Sequence, residues 1–105
     1  MKLDMYRQGD VLLVRTDKLP ASAEKMTSDE NRIVLAYGEV TGHAHAIALS
    51  QANLFIDGDT RYLKVTDSGA DLVHEEHSTI HLEAGVYRVV QQREYIPNSS
   101  RTVLD

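Results

Sequence analysis

Five histidines fall in two short runs: "TGHAH" carries His43 and His45, and "VHEEHSTIH" carries His74, His77 and His81. Imidazoles bind transition metals or move protons near neutral pH, and without cysteine a metal site in this chain can use only His, Asp and Glu. Along a strand, residues two apart point the same way with Cα atoms about 6.5–7 Å apart, so His43 and His45 make a two-ligand half-site. His74 and His77 are three apart, a spacing that converges at a bend or a helical turn but not along a regular strand. A shared site therefore predicts a bend within "HEEH".

The expected metal ligands are His43, His45, His74 and His77. Glu75 and Glu76 are candidate catalytic carboxylates, acting as a further ligand, an orienter of a histidine, or a general base on metal-bound water. Donors of this kind suit a divalent ion such as zinc, iron, nickel, manganese or copper. Four nitrogens would close the site and make it structural. Three plus water would leave a position open for hydrolysis of a small ester, amide or phosphoester, or for oxygen chemistry on iron. His81 alternates with Ile80 and Leu82 and is expected to point away from a core those two enter. The plainer reading of each histidine is a polar surface residue or a hydrogen-bonded one, because HxH alone recurs by chance. The second, differently spaced pair is what favours a site.

Other polar residues have weaker claims. In "QQREY" Gln92 and Arg93 could line a substrate pocket, although charges there also suit an edge strand that resists aggregation. Gln8 and Asp10 could sit beside a pocket, but Gly9-Asp10 is explained by a turn alone. Tyr37, Phe55, Tyr62 and Tyr87 are expected as core or rim aromatics in a chain without tryptophan.

The elements that must position these groups read as strands. "DVLLVRT", "RIVLAYGEVT", "HAHAIAL", "NLFI", "RYLKV", "LVHEEH", "TIHL" and "VYRVVQQREYI" are separated by turn signals at roughly 8–12-residue spacing, the pattern of a small all-β barrel or sandwich of about seven or eight short strands. Asp57-Gly58 is the clearest hairpin signal, and Gly38 marks a bulge or bend. In "HAHAIAL", His43, His45, Ile47 and Leu49 share one face. Residues 17–31 read as a surface loop with room for one helical turn near Pro20. Residues 1–97 make one β-domain, and 98–105 read as a flexible tail.

The chain has 105 residues, 42% hydrophobic, enough for one core, and 16 acidic against 11 basic residues give a net charge of −5. No basic block marks a phosphate-binding surface, so nucleic acid is not an expected partner. No phosphate-binding glycine loop or dinucleotide fingerprint is present. The apolar run Val11 to Val14 is too short for a membrane span or a signal core, so a cytoplasmic protein without membrane association is expected.

Together, "RQGDVLL", "GEVTGHAHAI" and "HEEHSTIHLEAGVYRVVQQREY" resemble a family of small bacterial and phage proteins that share QGDVLL, TGHAH, HEEH and QREY motifs. The resemblance covers the chain outside Asp17 to Asn31 and implies no activity. A looser likeness to cupins rests on Gly38 and "HAH", and implies only imidazoles held within a small β-barrel. The leading functional expectation is a β-protein that binds a divalent metal and acts on a small-molecule substrate. The alternative is a non-enzymatic accessory module whose histidine and carboxylate surface contacts a protein or nucleic-acid partner. Exposed edge strands would allow a homodimer.

Overall fold

The computed structural model describes residues 4–26, 32–37 and 43–91. Among them are ten strands: β1 (Met5–Gln8), β2 (Val11–Thr16), β3 (Glu24–Lys25), β4 (Arg32–Tyr37), β5 (Ala44–Ala48), β6 (Ala52–Asp57), β7 (Thr60–Val65), β8 (Ala70–His74), β9 (His77–Leu82) and β10 (Gly85–Gln91). They form two antiparallel sheets, β1-β2-β10-β7-β6-β3 and β4-β5-β8-β9. The all-β expectation holds, and of the two forms it allowed the fold is sandwich-like, not a closed barrel.

Period-two alternation decides which side chains meet between the sheets. Val11 and Leu13 of β2, Leu63 and Val65 of β7, and Tyr87 and Val89 of β10 are buried from one sheet; Ile33, Leu35, Ile47, Leu72 and Leu82 are buried from the other. Register fixes the alignment: Leu13 lies opposite Val89, and Tyr87 opposite Leu63. The Asp57-Gly58 signal forms the β6–β7 hairpin, with Gly58 at φ 62° as a two-residue turn requires.

The structure revises several expectations. The described residues hold ten strands where seven or eight were expected, and β3 lies inside the expected 17–31 loop, where Glu24 and Lys25 pair with Ile56 and Phe55. Near Pro20 there is a turn, closed by the Ala23 amide donating to the Pro20 carbonyl at 3.0 Å, and not a helical turn. Tyr37 is 64% exposed and is no core aromatic, whereas Tyr6 is buried and packs edge-on against Tyr87 at 5.6 Å. Leu49 lies past the end of β5 and is exposed, so it does not extend the His45–Ile47 face. The strand that leads into "QQREY" is β10, which is flanked by β2 and β7 and is not an edge. Gly38, Gly42 and the 98–105 tail lie outside the described residues.

Candidate functional site

The β8–β9 hairpin turns at Glu75 and Glu76, so His74 and His77 face each other as a cross-strand pair. This is the bend that the HxxH spacing required. In the same sheet β5 delivers His45, and His43 precedes its first residue. The imidazoles adjoin: ring centroids are 4.3 Å apart for His45 and His74, 4.6 Å for His74 and His77, and 5.8 Å for both His45–His77 and His43–His74. His81 lies elsewhere on β9 and is exposed, with its Nδ1 2.9 Å from Asp71 Oδ1.

The other side of the site comes from the opposite sheet. Gln8 ends β1 on its inward face and is 2% exposed. Its Nε2 donates to the carbonyls of Leu72 and Ser78 at 3.0 and 2.9 Å, joining β1 to both arms of the His74–His77 hairpin. Carbonyls only accept, so the amide orientation is fixed and Oε1 must face His45 Nδ1, 2.8 Å away. That contact in turn requires Nδ1 to carry the ring proton. His45 is 3% exposed, and burial followed by the neighbouring His74 imidazole lowers its pKa against the opposing pull of Asp10. The neutral ring then presents a bare Nε2 lone pair, which lies 3.4 Å from Asp10 Oδ1.

Asp10 is positioned from the opposite side as well, since Gln91 at the end of β10 donates to its Oδ2 at 3.2 Å. Between Gln8 and Asp10, Gly9 adopts φ 59°. A Cβ there would stand 2.9 Å from His77 Nε2 and 3.2 Å from His45 Cε1. Glycine therefore permits both the tight turn and the close approach of the rings. Gly9→Ala is expected to cost about 1–2 kcal/mol from the left-handed backbone alone and to push the His77 ring aside. A urea midpoint together with His77 ring-proton shifts checks this, and an unmoved ring would refute the steric part.

The two glutamates are placed differently. Glu75 Oε1 accepts the Ala44 amide at 2.9 Å, and backbone hydrogen bonds, that one foremost, hold its pKa below the usual carboxylate value. Glu75 thus acts as an ionised brace between the hairpin turn and β5, which is a poor setting for a base. Glu76 Oε2 stands 3.2 Å from His43 Nδ1, a solvent-shielded nitrogen with no well-aligned hydrogen bond. The Glu76 amide donates to His74 Nδ1 at 3.0 Å. Gln92 and Arg93 lie outside the described residues.

The rings are adjacent, but their nitrogens are not gathered at one point. Among the described residues no three His, Asp or Glu side chains are arranged to hold a metal ion. The hydrogen bonds give the reason. Accepting the Glu76 amide leaves the proton of a neutral His74 on Nε2, so this ring must turn before it can ligate. Within the cluster, His45 is the ring whose free nitrogen is held ready by a partner on the other ring nitrogen. Sequence reasoning underrated Gln8 and Asp10 because a Gly-Asp turn accounted for both; the available signal was a glutamine in phase with buried Tyr6 on β1.

Two antiparallel sheets with imidazoles from one and Gln8 and Asp10 from the other define a small all-β domain with a polar site between its layers. The chain belongs to the family DUF8820, a domain of unknown function, whose model matches residues 7–92. No curated protein and no solved structure matches it.

Proposed function

We propose that this site binds one divalent transition-metal ion, with His45 Nε2 and Asp10 as the preset donors and His74 and His77 completing the set. The observation that carries the reading is the bare Nε2 facing a carboxylate oxygen at 3.4 Å. A lone pair and a carboxylate oxygen at that distance are favoured by a cation between them, and the lowered pKa of His45 disfavours a proton in that role. Donors about 2.0–2.1 Å from a tetrahedral ion are themselves about 3.4 Å apart, so the spacing matches one edge of such a polyhedron. Two imidazoles on one tetrahedral ion have ring centroids about 5 Å apart by the same geometry, and the separations of 4.3–5.8 Å bracket that value.

The ligand set is thus His45, His74, His77 and Asp10, in place of the four histidines expected from spacing. His43, next to Glu76, flanks the site. Three nitrogens and one carboxylate suit zinc, ferrous iron, nickel or manganese. Those four donors fill a tetrahedral shell, so a substrate would have to add a fifth position or displace Asp10; in that case such an ion would supply Lewis-acid chemistry for hydrolysis, or oxygen chemistry if it were iron. Glu76 is then the better placed of the two glutamates to accept a proton. Ring contacts between His45 and both hairpin histidines favour this over an accessory module with imidazoles spread on an exposed face.

Metal analysis of protein purified without a histidine tag tests it. About one equivalent of metal is expected for the wild type and less than a tenth for His45→Ala/His74→Ala, with zinc added back to both. Sub-stoichiometric zinc in the reconstituted wild type, or equal content in the two proteins, would end the proposal.

A further inference from the structure

The end of the sandwich that holds the imidazoles also holds a half-buried cation, Arg61. Register places Gln8 opposite Val11, Val11 opposite Gln91, and Val89 opposite Arg61, so Arg61 and Gln91 share the inner face of the large sheet at the end nearest Asp10. Arg61 begins the inward row of β7 and reaches across to the small sheet, where Nη2 donates to the Leu35 carbonyl at 2.7 Å. Among the described residues no carboxylate forms a salt bridge with it. Desolvation by burial shifts its pKa downward. A guanidinium partly removed from water and joined, among the described residues, to a single carbonyl retains N–H donors for which an anion is a fitting partner.

Space for that anion is present. Arg61, Gln91, Tyr37, Val34, Leu35 and Ala36 line an open cavity of about 360 Å³. That volume suits a small organic molecule. Its wall combines one cation, one carboxamide, one phenol and short aliphatic side chains, which fits a planar carboxylate on a compact apolar or aromatic body better than a multiply charged anion. Gln91 is common to both features, because its Nε2 donates to Asp10 while its side chain lines the cavity.

We infer that this cavity is a carboxylate-binding subsite in which Arg61 grips the anionic group of a small organic acid beside the imidazole site. Carboxylate binding stands without metal; its use as a substrate handle rests on the metal reading. The planar fork of Arg61 can offer two parallel N–H groups to one carboxylate while Nη2 keeps Leu35, which fixes the direction in which the rest of the ligand extends.

The test is a titration of the full-length, EDTA-treated protein with sodium benzoate and, in parallel, with inorganic phosphate, at constant ionic strength. It is followed by NMR of the Arg61 Nε–H and the Gln91 carboxamide. Benzoate is expected to shift both signals saturably in the millimolar range. Arg61→Gln should weaken binding at least tenfold, and Arg61→Lys, which keeps the charge without the fork, at least threefold. The lysine variant decides the matter if the glutamine variant does not fold. No saturable shift, or benzoate binding unchanged in the folded variants, overturns the subsite. A phosphate response equal to or stronger than that of benzoate overturns its assignment to carboxylates. Because the titration contains no metal, its failure is separate from failure of the metal proposal.

Discussion

Gln8→Leu is expected to lower stability by about 3 kcal/mol, because it strips partners from two backbone carbonyls and one imidazole N–H at about 1–3 kcal/mol for each buried group left unsatisfied. If the site binds metal as proposed, the same change should weaken that binding about ten- to a hundredfold, the usual cost of losing the group that orients a metal-ligating histidine. Both effects follow from one side chain. Gln8 Nε2 ties β1 to Leu72 and Ser78, and Oε1 holds the His45 proton on Nδ1. Without that acceptor nothing keeps Nε2 bare, and a ring that protonates Nε2 faces Asp10 as a hydrogen-bond donor instead. Urea unfolding gives the first number, and competition for zinc against a chelator gives the second. Weaker stability with unaltered zinc affinity would reduce Gln8 to a brace between the sheets.

Tyr87→Ala should remove about 3–5 kcal/mol, the cost typical of deleting a buried aromatic ring. Set against the total of about 5–15 kcal/mol for an ordinary domain, that is enough to leave much of the protein unfolded near 37 °C. Tyr87 is wholly buried on β10, packs edge-on against Tyr6 at 5.6 Å, and lies beneath the Arg15 guanidinium at 4.9 Å. Its hydroxyl donates to the Glu83 carbonyl at 2.7 Å and accepts from Arg15 Nη2 at 2.8 Å. Burial, with the Tyr6 hydrogen bond second, raises its pKa, so it stays a phenol throughout the range in which the protein would be studied. Tyr87→Phe keeps the ring and loses the hydrogen bonds of the hydroxyl, for about 1–2 kcal/mol. The difference between the two urea midpoints separates packing from the polar network. A Tyr87→Ala midpoint within error of the wild type would contradict the core described above.

What could be read from the sequence was what neighbouring residues decide. The strands from "DVLLVRT" to "VYRVV" follow from alternation and turn residues, and the bend in "HEEH" follows from the three-residue spacing of two histidines assumed to share a site. What could not be read depends on distant partners. β3 is two residues long and exists because Phe55 and Ile56 offer it an edge to pair with. β10 is central because β2 and β7 flank it, which the charges in "QQREY" cannot reveal. The site divides in the same way. His45, His74 and His77 were visible by type and spacing, whereas Gln8 finds its partners 64 and 70 residues away, across the gap between the sheets. Asp10 was hidden because a turn after glycine already explained an aspartate there. Arg61 gave no signal in "RYLKV", where a strand cation normally faces water.

The two walls of the site are fastened unequally, and this bears on how quickly an ion could enter or leave. Asp10 follows β1, next to the β2–β10 ladder, which runs over six registered pairs from Val11–Gln91 to Thr16–Val86. His74 and His77 ride on a hairpin joined to β5 through the one registered pair Ala46–Val73 and the Glu75–Ala44 hydrogen bond, and to β1 through the two hydrogen bonds of Gln8. Amide exchange should therefore be fast at the hairpin and slow at β10, because local opening takes the less fastened element first. Ion release would then keep pace with hairpin opening, and the residence time of a bound metal would report the lifetime of the hydrogen bonds from Gln8 and Glu75 that hold the hairpin shut.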